Sequence, residues 1–182
     1  KLTGWYMSTG EPFDAHQVMR LFNQEFAESD TTELIGGAAE PYYEPGSPHH
    51  IYFCADYVRS ALHEVAHWCV AGSRRRQLAD YGYWYSPDGR GVAQQQAFFA
   101  VEARPQAIER CFCEATGIPF SPSVDNVGAQ IEPQQLRRFE ARIQEWCDQF
   151  ERTGLPLRAA RFITALRSTT SLSQDPVPEC AA

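Results

Sequence analysis

His63-Glu64-Val65-Ala66-His67 sets two imidazoles four residues apart, with a carboxylate beside the first. On a helix, positions i and i+4 lie one turn apart on the same face, so both rings can reach one metal ion from a single rigid element. Leu62, Val65, Trp68 and Val70 make the other faces apolar, as in a helix packed into a core. Two histidines and a glutamate are costly to bury without partners, which favours a metal site over histidines that only hydrogen-bond. The pair still lacks a third ligand. Glu102, in a second helical pattern over 94–113, offers a carboxylate; a surface glutamate is the plainer reading of it.

Two histidines and one carboxylate bound on one side of an ion leave several coordination positions open. With iron(II) such a site activates dioxygen. With zinc the same ligands hold a water, and Glu64 becomes the general base of a peptidase. The spacing does not choose between them. Taken alone, His-Glu-x-x-His favours the peptidase, but the extended pattern of one large peptidase branch needs Gly where Val70 stands and His where Ser73 stands. A third use is a structural metal in a non-enzymatic adaptor. That reading is the weakest, because structural zinc is usually closed and four-coordinate.

Asp80-Tyr81-Gly82-Tyr83-Trp84-Tyr85-Ser86-Pro87-Asp88-Gly89 crowds aromatic rings between two aspartates. Aromatic faces hold the stem of a long cationic side chain and carboxylates hold its ammonium. Asp80, Tyr81, Tyr83, Trp84 and Asp88 are therefore candidate substrate-binding residues; an aromatic strand running into a Ser-Pro-Asp-Gly turn is the plainer alternative. Arg74-Arg75-Arg76 just before it suits either the C-terminal dipole of the metal helix or a docking patch for an acidic partner. His49 and His50 read as strand-end residues rather than ligands.

These side chains need elements to hold them. Val18, Leu21, Phe22 and Phe26 repeat at helical spacing behind Asp14, a plausible N-cap. Between residues 31 and 54, short β-branched and aromatic runs separated by Gly and Pro predict a small antiparallel sheet. Asp56 is placed to cap the metal helix, which should stop near Gly72. Pro105 should kink the 94–113 helix or start a new segment. Glu132 to Phe150 is amphipathic and ends at Gly154, Arg158 to Leu166 forms a last short helix, and residues 168–182 read as a loose tail. The expected class is α+β and mainly helical, with 1–167 as a single catalytic domain.

With 182 residues, 43% of them hydrophobic, the chain has enough apolar material for a sizeable core. A formal charge of −7 argues against a nucleic-acid binder. Six cysteines are even in number, but most fall inside helical patterns and show no disulfide framework. They read as reduced thiols of a cytoplasmic protein. No run reaches membrane-spanning length and none has the pattern of a secretory leader.

The metal motif and the aromatic stretch belong to a longer run of matches. Ser60-Ala61-Leu62-His63-Glu64-Val65-Ala66-His67-Trp68-Cys69, then Ala71-Gly72, Arg75-Arg76 and Asp80 through Arg90, resemble in order and spacing the bacterial elongation factor P hydroxylase family. Val101 through Ala107, Gly117-Ile118-Pro119-Phe120, Asp125-Asn126 and Ala160-Arg161-Phe162-Ile163 extend the likeness over about residues 14 to 167. The resemblance implies a zincin-like scaffold with His63, His67 and Glu102 holding iron(II), zinc or another divalent ion being the alternative. It implies dioxygen as co-substrate and hydroxylation of the β-lysylated lysine of translation elongation factor P. Glu64, a poor ligand in this pattern, would then move protons or order water. No 2-oxoglutarate anchor is assignable, so the electron source stays open.

Overall fold

The computed structural model describes residues 13–83, 89–126 and 131–172. Helix α1 (Ala15–Phe26) starts where the sequence places it. Asp14 and Gln17 form a reciprocal capping box, with the Gln17 N–H donating to Asp14 Oδ1 at 2.7 Å and the Asp14 N–H to Gln17 Oε1 at 3.0 Å.

Strands β1 (Thr32–Ala38), β2 (Tyr42–Glu44) and β3 (His49–Cys54) form the expected sheet, but it is mixed rather than antiparallel. β3 is the central strand, parallel to β1 and antiparallel to β2. Local pattern says that strands exist, not which edges pair. Here β2 reverses and stays at the edge, so that β3 inserts beside β1 in the same direction. A Cβ on Gly36 would stand 2.7 Å from the Phe53 ring; the bare backbone of β1 is what lets that ring fill the core beneath the sheet.

The metal helix α2 (Val58–Val70) follows directly. Its N-cap is Tyr57, without a side-chain cap bond, and not Asp56 as expected. Ala55 turns the chain sharply out of β3 at φ +44°, which carries the helix start one residue past the aspartate. At the far end, Arg158 Nη2 donates to the carbonyls of Trp68 at 2.8 Å and Ala71 at 2.6 Å, and Arg76 Nη1 donates to Ala71 O at 2.9 Å. Open carbonyls at a helix C-terminus are favourable partners for guanidinium groups. One arginine of the 74–76 run is thus spent on the helix end. Two short 3₁₀ turns, Arg75–Gln77 and Ala79–Gly82, lead on to the aromatic segment.

Helix α3 (Val92–Thr116) runs unbroken through Pro105, correcting the expectation of a second segment. Burial of the flanking Ala103, Ala107 and Ile108 offsets the backbone bond that proline cannot make. Gly117 ends the helix at φ +73°, a left-handed cap that favours glycine. Helix α4 (Pro133–Thr153) and helix α5 (Leu157–Leu172) complete the chain, α5 passing the boundary expected at 167. One core cluster joins buried side chains of all five helices and the sheet. No described helix is long and apolar enough to cross a membrane, and the described cysteines are free thiols.

Candidate metal centre

His63 and His67 project from α2 toward α3, which presents Glu102, 2% exposed, across the gap. The Nε2 atoms of the two histidines stand 3.0 Å apart. Glu102 Oε1 lies 3.3 Å from His67 Nε2, and its Oε2 lies 3.5 Å from His63 Nε2. The three residues form the one group able to hold a metal among the described residues. Two ligand atoms each about 2.1 Å from a shared ion, at right to tetrahedral angles, stand roughly 3.0–3.4 Å apart. Glu102 Oε2 is buried and lacks a hydrogen-bond partner, a cost that a cation would remove. Donor types, spacing and the orphaned oxygen all fit a divalent metal.

The His63 ring is held from behind. Its Nδ1–H donates to Glu109 Oε2 at 2.9 Å, and Glu109, 1% exposed, accepts from Arg59 Nη2 at 2.6 Å and Nε at 3.2 Å. Arg59 also donates to Ser121 Oγ at 2.8 Å and to the Ser121 carbonyl at 2.7 Å. A proton fixed on Nδ1 leaves the Nε2 lone pair facing Glu102 and His67, the tautomer a metal needs. Arg59, His63 and His67 fall four residues apart on α2, while Glu102, Gln106 and Glu109 recur at four and three on α3. Two polar stripes therefore face each other across otherwise apolar helices.

Electrostatics reinforces this arrangement. Burial alone would drive Glu102 toward protonation, but the charges of His67 and His63, with hydrogen bonds from His67 and Gln106, bring it down to about 2. Burial opposes ionisation of Glu109 too, and His63 followed by Arg59 outweighs it, holding that carboxyl below its usual range. For His63 burial disfavours the cation; the Glu109 hydrogen bond and charge, then Glu102 and Glu64, more than reverse this and lift it to about 10. Glu64 behaves oppositely to the other acids. Burial raises its pKa, and Glu102 and Asp80 add to the rise against the two histidines.

The centre lies in a cleft of about 610 Å³ that Glu64, Asp80, Tyr81 and Tyr83 also line. Asp80 Oδ1 accepts from the Tyr43 N–H at 2.8 Å, fastening the segment to β2. Tyr81 stacks on Tyr43 at 4.3 Å and lies parallel to the His67 ring at 6.5 Å. Arg75 packs 4.2 Å over the Tyr83 ring and donates to the Tyr81 carbonyl at 3.0 Å. Three of the five expected substrate residues therefore line the cleft that holds the metal group; Trp84 and Asp88 lie outside the described residues. His49 and His50 open β3, as expected of strand-end histidines, and take no part in the group.

Residues 21–176 match the family model described as elongation factor P hydroxylase. The chain belongs to that family. An elongation factor P lysine hydroxylase of Haemophilus influenzae is 40% identical over 162 residues, an alignment spanning 87% of this chain and 90% of the relative. Membership in the hydroxylase family makes this chain an enzyme of the oxidoreductase type. It also fits a site with open coordination positions better than a closed structural metal. Glu109 and Arg59 are the functional-site residues that motif reasoning passed over, because the His-Glu-x-x-His pattern is silent about what stands behind its histidines. The signal was present as a polar stripe, and reading it needed the facing helix.

Proposed function

We propose that this protein hydroxylates a lysyl side chain of elongation factor P in its lysylated form, with iron(II) as the metal and dioxygen as co-substrate. The observation that carries the proposal is the convergence of His63, His67 and Glu102 on one point of a cleft, in a chain of a hydroxylase family. The scaffold is read as zincin-like: the metal helix packs beneath a sheet, and the next long helix brings the third ligand. Iron(II) bound by these residues supplies dioxygen activation. In the overall reaction a C–H bond becomes C–O–H and the second oxygen atom leaves as water. An external reductant donates the two electrons this requires.

The protein's own groups do the rest. Glu109 keeps the His63 proton on Nδ1, and Arg59 keeps Glu109 ionised and in place. Glu64, whose pKa is raised by burial, is suited to accept and return a proton within the cleft. Asp80, with Tyr81 and Tyr83, receives the cationic side chain, the carboxylate meeting its ammonium and the rings its methylene stem. Trp84 and Asp88 are assigned to the same task from their place in the sequence.

Intact-mass spectrometry of lysylated elongation factor P, incubated aerobically with the protein, iron(II) and a reductant, tests this reading. A gain of one oxygen atom that disappears in His63→Ala and Glu102→Ala is the expected result. Cleavage fragments would instead identify a peptidase with Glu64 as its base. An unchanged factor, with iron confirmed bound, would rule out this substrate.

A further inference from the structure

Tyr43 and Tyr81 form a matched pair whose difference points to a ligand. Both rings are buried, at 1% and 4% exposure, and they stack with an interplanar angle of 18°. The Tyr43 hydroxyl donates to the Arg76 carbonyl at 2.8 Å. The Tyr81 hydroxyl is buried with no partner among the described residues. Leaving a buried hydroxyl unpaired costs the fold the hydrogen bonds it made with water, so phenylalanine would be the more stable occupant if the position served packing alone.

The backbone beneath Tyr81 is also costly. Asp80 and Tyr81 have φ values of +46° and +58°, two consecutive non-glycine residues in the left-handed region. Such residues persist only where their surroundings over-determine them, and they cluster at functional sites. Here the strain is held by the Tyr43 N–H to Asp80 Oδ1, the Tyr81 N–H to the Leu78 carbonyl at 3.0 Å, and Arg75 to the Tyr81 carbonyl. All three bonds serve to keep one ring parallel to His67 on the wall of the metal cleft. A strained backbone and an unpaired hydroxyl thus meet in one residue beside the metal ligands.

We propose that the Tyr81 hydroxyl donates a hydrogen bond to the non-protein ligand that completes the coordination of the metal held by His63, His67 and Glu102. The inference rests on the metal-centre reading above and adds a donor that neither the ligand motif nor the family match assigns. Tyr81 would then be a catalytic residue whose partner arrives with the ligand.

The test uses azide as an anionic ligand and cobalt(II) as a coloured, redox-quiet metal. Parent, Tyr81→Phe and Tyr43→Phe proteins are loaded with cobalt(II) and titrated with azide by visible absorption, and the metal-free forms are melted. Tyr81→Phe should bind cobalt(II) within twofold of the parent and lose about five- to tenfold in azide affinity, the share of one hydrogen bond. Its metal-free melting temperature should equal or exceed the parent's. Tyr43→Phe should do the reverse, melting lower with azide affinity within twofold of the parent. Unchanged azide affinity in Tyr81→Phe with cobalt bound would overturn the inference, as would a lowered melting temperature, which would mark the hydroxyl as structural. If the parent bound no cobalt(II), the metal centre itself would fall, and the inference with it.

Discussion

On the face of α2 turned to the other helices, Trp68 meets Phe26 at 4.8 Å and Phe22 at 5.1 Å, and Phe162 packs on Phe22 at 5.8 Å. On the face turned to the cleft, two histidines and Glu64 confront Glu102 and Glu109. There Glu102 Oε2 is left unpaired, as is the hydroxyl of Tyr81, which lines the same cleft. One helix therefore carries a close-packed apolar contact and, about a third of a turn round, the histidines of a group that costs the fold. The first makes the second tolerable: a functional site can hold buried charge and strain only while packing elsewhere keeps the total favourable. Substitutions on the two faces should accordingly separate stability from metal binding.

The largest effect belongs to the packed face. Trp68→Ala removes the centre of the aromatic cluster and should cost about 3–5 kcal/mol, roughly 6–20 °C in melting temperature for a chain of this size. Thermal denaturation followed by circular dichroism measures it; a loss below about 1 kcal/mol would show that the cluster is not what anchors α2. On the cleft face, Glu109→Gln should weaken metal binding about 10- to 100-fold and lower the melting temperature less than Trp68→Ala does. Equal metal affinity by competition titration would remove Glu109 as the group that orients His63.

A pH dependence follows from the same carboxylate. In the metal-free protein His63 is lifted to about 10, against about 6.5 in an unfolded chain. A raised folded-state pKa gives stability that is full below about pH 6.5 and is lost as pH rises through 10. Metal must displace that proton, so apparent metal affinity should rise with pH, by up to about tenfold per unit, across the neutral range. A flat affinity between pH 6 and 8 would contradict the assignment. The smallest effect is expected of Asp80→Asn. Asparagine keeps an acceptor for the Tyr43 N–H and tolerates the left-handed backbone, so stability should change by less than about 0.5 kcal/mol. Turnover should fall only at low substrate; unchanged turnover there would take Asp80 off the list of substrate contacts.

The boundary between what could and could not be read from the chain follows the range of the interactions. His63 and His67 were legible because their spacing is a property of one helix, and the caps at Asp14 and Gly154 because capping is local. Glu102 was legible as a carboxylate on a second helix, although its burial was not. The sheet order was illegible, since pairing of β1 with β3 skips a strand and no short motif encodes it. Asp56 lost the N-cap to Tyr57 through the turn at Ala55, a backbone conformation that alanine does not advertise. Glu109 and Arg59 stayed hidden because neither is informative until α2 and α3 are laid face to face.

Arg158 gives the metal helix a dependence on time. Its guanidinium, on α5, closes carbonyls of α2 that lie 87 and 90 residues earlier in the chain. Contacts of such sequence separation form late, after the intervening loop has been closed. During synthesis, α2 and α3 emerge with all three metal ligands before the last helix exists, and the C-terminal end of α2 stays open until it does. A ribosome-stalled chain ending before residue 158 should thus carry the full ligand set and yet lack the clamp that finishes their helix.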